Sequence, residues 1–401
     1  MGTDEADDLF NNSLSGEQET VDDTFENTLS FEDIVASENW QPPGEYYRTM
    51  PTATRSIIQS VVQSDERIAQ ELREIYLPEL LRRRTLLDWG RIDERYVEAL
   101  QRKCLYTGRV VAADGTLAKY ETLSLVGAQI AITTVGYQGT TAQIVSNMMH
   151  WGKEIPRKTT AVDIVEAVRS RGKELKEKLS NLFLYTLMLY KERELLLKNP
   201  PGTFKLIHGP VFPYEMLTGS GKQHILQECL QLLQALIDEG SYAAIVSKAP
   251  QRELLALGMA LRAGEYIIVS KGTTVLDEFL KNAHYTTTPI DRYGGKSQIR
   301  VFEDFQRNYG DKVVQGVLRA HPMSPPYVFY CNSDQVPKAV HMLFADAANS
   351  GPRGFPLLID LADQICSGAF KASEYTSCIN AEFARAAGGS GLYQSERSTR
   401  D

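Results

Sequence analysis

The 401-residue chain predicts an α/β fold, a mixed sheet flanked by helices. Short apolar runs of strand length alternate with longer amphipathic stretches from about residue 105 to residue 367, the alternation of an open sheet with parallel components. Three of those runs close on a polar residue, Asp114, His208 or Lys248, where α/β sheets place their ligand crevice. A hydrophobic content of 43% with 23% charged residues is that of a globular chain able to bury a sizeable core.

The net charge of −8 is unevenly divided. Residues 1–40 hold twelve acidic side chains and no Lys or Arg, so the other 361 residues sum to about +4. This segment, rich also in Asn, Ser and Thr, reads as a disordered acidic tail over residues 1–45. Its plain role is to solubilise; its sharper one is to imitate nucleic acid and compete for a basic groove. Residues 50–103 form a helical arm, with Ile57, Ile58, Val61, Val62, Ile68, Leu72 and Ile75 recurring at three- and four-residue spacing. Arg82-Arg83-Arg84 interrupts it, either as a solvated face or as a phosphate contact. The arm either covers the sheet or forms a dimer contact.

The main domain spans residues 105–385. A strand over Val110-Val111-Ala112-Ala113 ends at Asp114-Gly115-Thr116, residues 123–135 return as a hairpin partner, and a third strand follows near Ile144. Residues 160–198 form a long helical block closed by Pro200-Pro201-Gly202. A buried-type strand over 203–207 ends at His208-Gly209-Pro210. The helix 222–238, the strand 242–247 ending at Lys248, and the helix 250–263 come next. Residues 264–312 are less regular and read as an insertion. Strands over 313–318 and 327–331 and helices over 336–347 and 356–367 close the domain, before a flexible Gly/Ser-rich tail over 386–401.

Composition excludes several classes. No apolar run reaches the length of a membrane span. The acidic start lacks the basic and apolar regions of a signal peptide. Five scattered cysteines (Cys104, Cys229, Cys331, Cys366, Cys378) without a Cys-x-x-Cys pair point to reduced thiols in a cytoplasm and against structural zinc. Thr218-Gly219-Ser220-Gly221-Lys222, read as following a strand, lacks the first glycine and the Ser/Thr of a P-loop. ATP hydrolysis is therefore not expected of this chain, though an anion at the helix start is compatible. Gly294-Gly295-Lys296 reads as a flexible basic loop, Met148-Met149-His150-Trp151 as core or interface, and His321 as structural.

Asp114 heads the candidates. A carboxylate held at a strand end grips a divalent ion while leaving positions open for phosphate; a plain Asp-Gly hairpin turn is the competing reading. Lys248 at its strand end suits a scissile phosphate, a helix cap or solvent. A late helix carries Asp360 and Asp363. Asp360 either joins the site or favours the helix dipole from the first turn.

The Asp114-Gly115-Thr116 turn, the His208-Gly209-Pro210 strand end, Ile245-Val246-Ser247-Lys248 and the Phe355-Pro356 helix start resemble, in order, the NurA nuclease family. The resemblance implies a ribonuclease H-like fold, manganese (Mn2+) or magnesium (Mg2+), a homodimer, and DNA-end degradation beside a HerA-type hexameric ATPase. It also implies that Asp114 is the first metal-binding aspartate. The chain departs from the family in three places. His208-Gly209 stands where the family has Asp-Gly, and Ala362-Asp363 where it has Ala-His. For the upstream glutamate the chain offers Glu192 and Glu194, while the best-spaced residues, 183–187, are apolar or aromatic.

Two readings follow. Exchanged ligands give a nuclease in which Asp114, His208 and Asp363, with Asp360 near, hold the metal and Lys248 steadies the phosphate; imidazole suits manganese. Lost catalysis gives a subunit that binds DNA or regulates the translocase. An unrelated α/β enzyme is the third possibility, and DNA repair and defence against foreign DNA are equally compatible.

Overall fold

The computed structural model describes residues 43–83, 86–122, 125–138, 143–152, 160–248, 252–282 and 295–387. The chain divides into two compact units, residues 1–68 and 69–401. Of the first, only helix α1 (Pro43–Glu71) is described. It presents Ile58, Val61, Val62 and Ile68 as exposed apolar side chains. The acidic segment falls almost wholly outside the described residues, as does all of the C-terminal tail after Ala387.

The second unit is built on nine strands: β1 (Asp88–Arg91), β2 (Val110–Glu121), β3 (Leu125–Val135), β4 (Gln143–Gly152), β5 (Phe204–His208), β6 (Tyr242–Val246), β7 (Glu265–Lys271), β8 (Val313–Arg319) and β9 (Tyr327–Asn332). They form one sheet in the order β1-β7-β8-β9-β6-β5-β2-β3-β4. Only β2–β5 and β5–β6 pair in parallel. The run β4-β3-β2-β5-β6, with β3 antiparallel to both neighbours, is the strand order of a ribonuclease H-like domain. The other four strands extend it from β6 as an antiparallel meander.

Around the sheet run α2 (Leu77–Arg82), α3 (Glu94–Leu100), α4 (Ala161–Lys178), α5 (Asn181–Leu197), α6 (Tyr214–Thr218), α7 (Gln223–Glu239), α8 (Arg252–Met259), α9 (Gly272–Asn282), α10 (Gly295–Tyr309), α11 (Val336–Ala347), α12 (Leu357–Ala369) and α13 (Ala372–Ala387). Side chains alternate across each strand, so the sheet buries two faces. Val111, Ala113 and Ile207 point into one core with α7, α9 and α10. Val110, Ala112, Phe204 and Leu206 point into the other with α3, α11 and α12. Helix α5 seals β3 through Leu184, Met188 and Leu195 against Ala128, Ile130 and Ile132.

Several sequence expectations are corrected. Asp114-Gly115 is not a turn at a strand end. Strand β2 continues to Glu121, because Gly115 and Thr116 still pair with Ile132 and Ala131, and Ala118 and Tyr120 find apolar cover near Tyr375. The reversal comes later, where Thr122 N–H donates to Leu125 O. The helical arm is broken by β1, which pairs with β7; α3 then starts at a cap in which Asp93 accepts from Arg95 N–H. Of residues 264–312, the described stretches 264–282 and 295–312 are regular. They supply β7, between β1 and β8, followed by α9 and α10. The helical block 160–198 is two helices, parted at Ser180, which caps α5 by accepting from Phe183 N–H.

The glycine-rich segment before Lys222 follows helix α6 rather than a strand. It turns through positive φ at Gly219, Ser220 and Gly221. Gly295 and Lys296 open helix α10 instead of forming a loop; Gly294 lies outside the described residues. Of the arginine triplet, Arg82 and Arg83 bond Glu79, and Arg84 lies outside the described residues.

One buried carboxylate fixes the helix that carries the late acids. Helix α12 has no side-chain cap of its own. Instead Asp346, fully buried at the end of α11, accepts from Leu358 N–H at 2.9 Å and from Tyr137 Oη–H at 2.5 Å. Burial pushes the Asp346 carboxyl up to about 6 against those two bonds, which lower it. Asp346→Ala strands both donors, and chemical denaturation is expected to show a loss of about 2 kcal/mol. The raised value means that Asp346 contributes most below its unfolded value of 3.8 and loses that contribution as pH rises through about 6. The gap between wild type and Asp346→Ala should therefore be wider at pH 4 than at pH 7.

Candidate functional site

The site is set by a mismatch of strand lengths. Strand β2 pairs with β5 only from Val110–Phe204 to Ala113–Ile207. The next residues, Asp114 and His208, stand where that ladder stops. Asp114 remains fixed on its other side by pairing with Thr133 of β3. It shares a face with Ala112, and His208 with Leu206, so both side chains emerge on the side of α12.

They meet there. His208 Nδ1 lies 3.2 Å from Asp114 Oδ1, and His208 Nε2 lies 3.1 Å from Ser247 Oγ, one residue past the end of β6. Phe355, just before α12, packs its ring edge-on to the imidazole at 5.9 Å. Asp114 is buried, at 7% exposure. Burial lowers the imidazole's proton affinity, but the hydrogen bond and charge of Asp114, then the charges of Glu192 and Asp363, raise it above the ordinary histidine value. His208 is thus biased toward imidazolium.

Glu192 approaches from the opposite side of β2. It lies on α5 four residues after Met188 and eight after Leu184, on the buried stripe of that helix. A Cβ at Gly115 would fall 2.7 Å from Glu192 Oε1 and 2.8 Å from Met188 Cγ. The glycine therefore makes room for the carboxyl against the strand. Burial pushes Glu192 up to about 8; the nearby Arg193 guanidinium opposes this, Asp114 adds to it, and His208 opposes it. Sequence spacing offered Glu192 beside Glu194 without choosing between them; the Leu184–Met188 register is what places 192 inward. Ser247 was read only as part of a strand end.

The remaining candidates fall at different distances from this centre. Asp363 is exposed on α12, with its charge reaching His208 and Asp360. Asp360 is engaged by Arg353 at 2.6 Å, an ion pair at the helix start rather than an open ligand. Lys248 is exposed beyond Ser247 and has no hydrogen-bond or ion-pair partner among the described residues; it lines a separate cleft. Among the described residues, no three His, Cys, Asp or Glu side chains are disposed as a metal-holding group.

No protein-family model matches the chain, and no curated protein does. Three crystal structures share its outline. NurA bound to dAMP and manganese superposes with a TM-score of 0.47 at 10% identity, over 84% of this chain and 97% of that one. NurA with manganese gives 0.44 at 9%, over 83% and 98%. The NurA nuclease from Sulfolobus solfataricus gives 0.43 at 10%, over 86% and 98%.

Glu192 carries a pH signature. Its folded value of about 8 exceeds the ordinary 4.5, so its stabilising contribution is complete below 4.5 and lost as pH rises through about 8. Denaturant melts with chelator present should show Glu192→Gln gaining on wild type between pH 5 and 9. Parallel curves would show that the carboxyl is not held protonated.

Proposed function

We propose that this chain is a metal-dependent DNA nuclease that processes DNA ends. The observation that supports the proposal is the contact of Asp114 with His208 where β5 ends, with Glu192 across Gly115 of β2 and the charges of Glu192 and Asp363 both acting on the imidazole. The homodimer, the HerA-type hexameric ATPase, the cytoplasm and a role in repair or defence belong to the same proposal, and follow from the family resemblance in the sequence. Among the described residues no helix is long and apolar enough to cross a membrane.

The residue types fit a divalent cation. Two carboxylates and an imidazole suit manganese more than magnesium, which prefers oxygen alone. Glu192, buried and without a hydrogen-bond donor among the described residues, has Arg193 at 3.6 Å as its paired cation. Asp114 and Glu192 would hold the ion, with His208 and Asp363 completing the set. Such an ion supplies Lewis-acid polarisation of a phosphoryl oxygen and an activated water near neutral pH.

The protein's own groups have separate tasks. Ser247 and Asp114 hold the two ring nitrogens of His208 and so fix its orientation. Lys248 steadies a phosphate arriving over the strand ends. Arg353 holds Asp360 and leaves Asp363 as the free acid of α12.

A second reading is favoured by one observation. Asp114 Oδ1 is already engaged by His208, and no three-ligand group stands ready among the described residues. On that reading the chain is a non-catalytic subunit that binds DNA or regulates the translocase. Cleavage of linear single- and double-stranded DNA with manganese or magnesium, alone and with a HerA-type partner, separates the two. Manganese-dependent cutting abolished by Asp114→Ala and by Glu192→Gln is expected. Ser247→Ala should retain cutting with a loss of about tenfold, the scale of a partner that orients a ligand. DNA or partner binding without cutting under any condition would establish the second reading.

A further inference from the structure

A cleft of about 710 Å³ opens beside the site. Val246 and Lys248 form part of its wall and flank Ser247, whose hydroxyl meets His208. The cleft opens on the face of the sheet that packs α7 and α9, opposite the α12 face on which Asp114, His208 and Ser247 meet, and the two faces adjoin past the end of β6. Its volume lies within the roughly 300–1,000 Å³ of small-molecule sites.

Its lining has a marked polarity. Tyr185 of α5 and Tyr214 of α6 present rings that are 43% and 52% exposed. Phe279 of α9 stands edge-on to Tyr214 at 5.7 Å, so that ring is braced from behind. Among the described residues, Lys248 is the one cation of the lining, and Glu215 and Glu278 are its acids. A phosphate is attracted to the Lys248 end and repelled from the glutamate side. An uncharged aromatic ring is accepted where the tyrosines stand.

We propose that this cleft receives an unstacked nucleobase of a single-stranded DNA end, with its phosphate at Lys248 and its sugar-phosphate chain passing on to Asp114 and His208. A base inside a duplex cannot enter without leaving its stack, so the cleft selects single-stranded or frayed ends. This deepens the nuclease reading and rests on it for the direction of the strand. The binding itself does not depend on cleavage.

The test uses the full chain with chelator present, so that no strand is cut. Affinity for a fluorescein-labelled oligothymidylate is read by anisotropy. A second oligonucleotide with a terminal 5-iodouracil is photocrosslinked and the adduct located by mass spectrometry. Tyr214→Leu and Tyr185→Leu should each weaken binding about tenfold, the scale of one lost stacking platform. Tyr214→Phe should bind as wild type, which also shows that the ring and not the hydroxyl matters. Tyr106→Leu removes an exposed tyrosine outside the cleft and should have no effect. The adduct is expected on Tyr214 or Tyr185.

Unchanged affinity in both leucine variants, an adduct elsewhere, or no binding of single strands by the wild type overturns the proposal. The nuclease reading is judged apart from it, by cutting with manganese. Ring-dependent binding without cutting retains the cleft and removes the nuclease. Cutting with ring-independent binding retains the nuclease and removes the cleft.

Discussion

The step in the sheet at Asp114 is the constraint from which the site follows. One neighbour of β2 ends at His208 while the other continues beside it to Val126. Asp114 therefore has a backbone held by β3 and a side chain facing the space beyond β5. Register then dictates the partner, since the residue after the last β5 pair is His208. The contact between carboxylate and imidazole depends on no flexible loop. A slip of one residue in either ladder would send one of the two to the other face.

The opposite side of the strand is governed by a tandem on α5. Glu192 and Arg193 are consecutive and both buried. Glu192 points to Gly115, while Arg193 donates to Leu189 O at 3.1 Å and to Pro210 O at 2.8 Å. Pro210 lies two residues beyond His208, so Arg193 ties the helix to the loop that leaves β5. Both side chains lose hydration, which moves each toward its neutral form. Their mutual attraction offsets part of that cost without the geometry of a close pair, at 3.6 Å. The guanidinium is spent on the backbone, and the carboxyl is left facing the site.

What the sequence made legible follows from periodicity. The strands ending at His208 and Lys248 were plain because short apolar runs there meet polar ends. Asp114 was read beside a turn closing its strand, because Asp-Gly has the same appearance in a hairpin and within a strand that a glycine keeps close to a helix. Strand β7 escaped notice inside residues 264–312 because Tyr266-Ile267-Ile268-Val269 runs straight into the helix from Gly272, with no turn residues between the two periods. Glu192 could not be told from Glu194 among the charges Lys191-Glu192-Arg193-Glu194; the Leu184–Met188–Leu195 register is what marks 192 as inward. Ser247 bears on the site solely through an atom-level contact with His208, which no linear pattern encodes.

The residue types around Asp114 set the electrostatics of the site. His208 is drawn toward its cationic form by the hydrogen bond and charge of Asp114. Burial pushes Glu192 up to about 8 and so favours its protonated form at neutral pH. Both effects lessen the negative charge of the centre. On the metal-dependent reading proposed above, Asp114 and Glu192 would hold the cation as carboxylates, so its binding would strengthen as pH rises. On the same reading, the lessened negative charge would let a phosphodiester approach the strand ends with less repulsion, so that approach of DNA and capture of metal would be set against each other by His208 and Glu192.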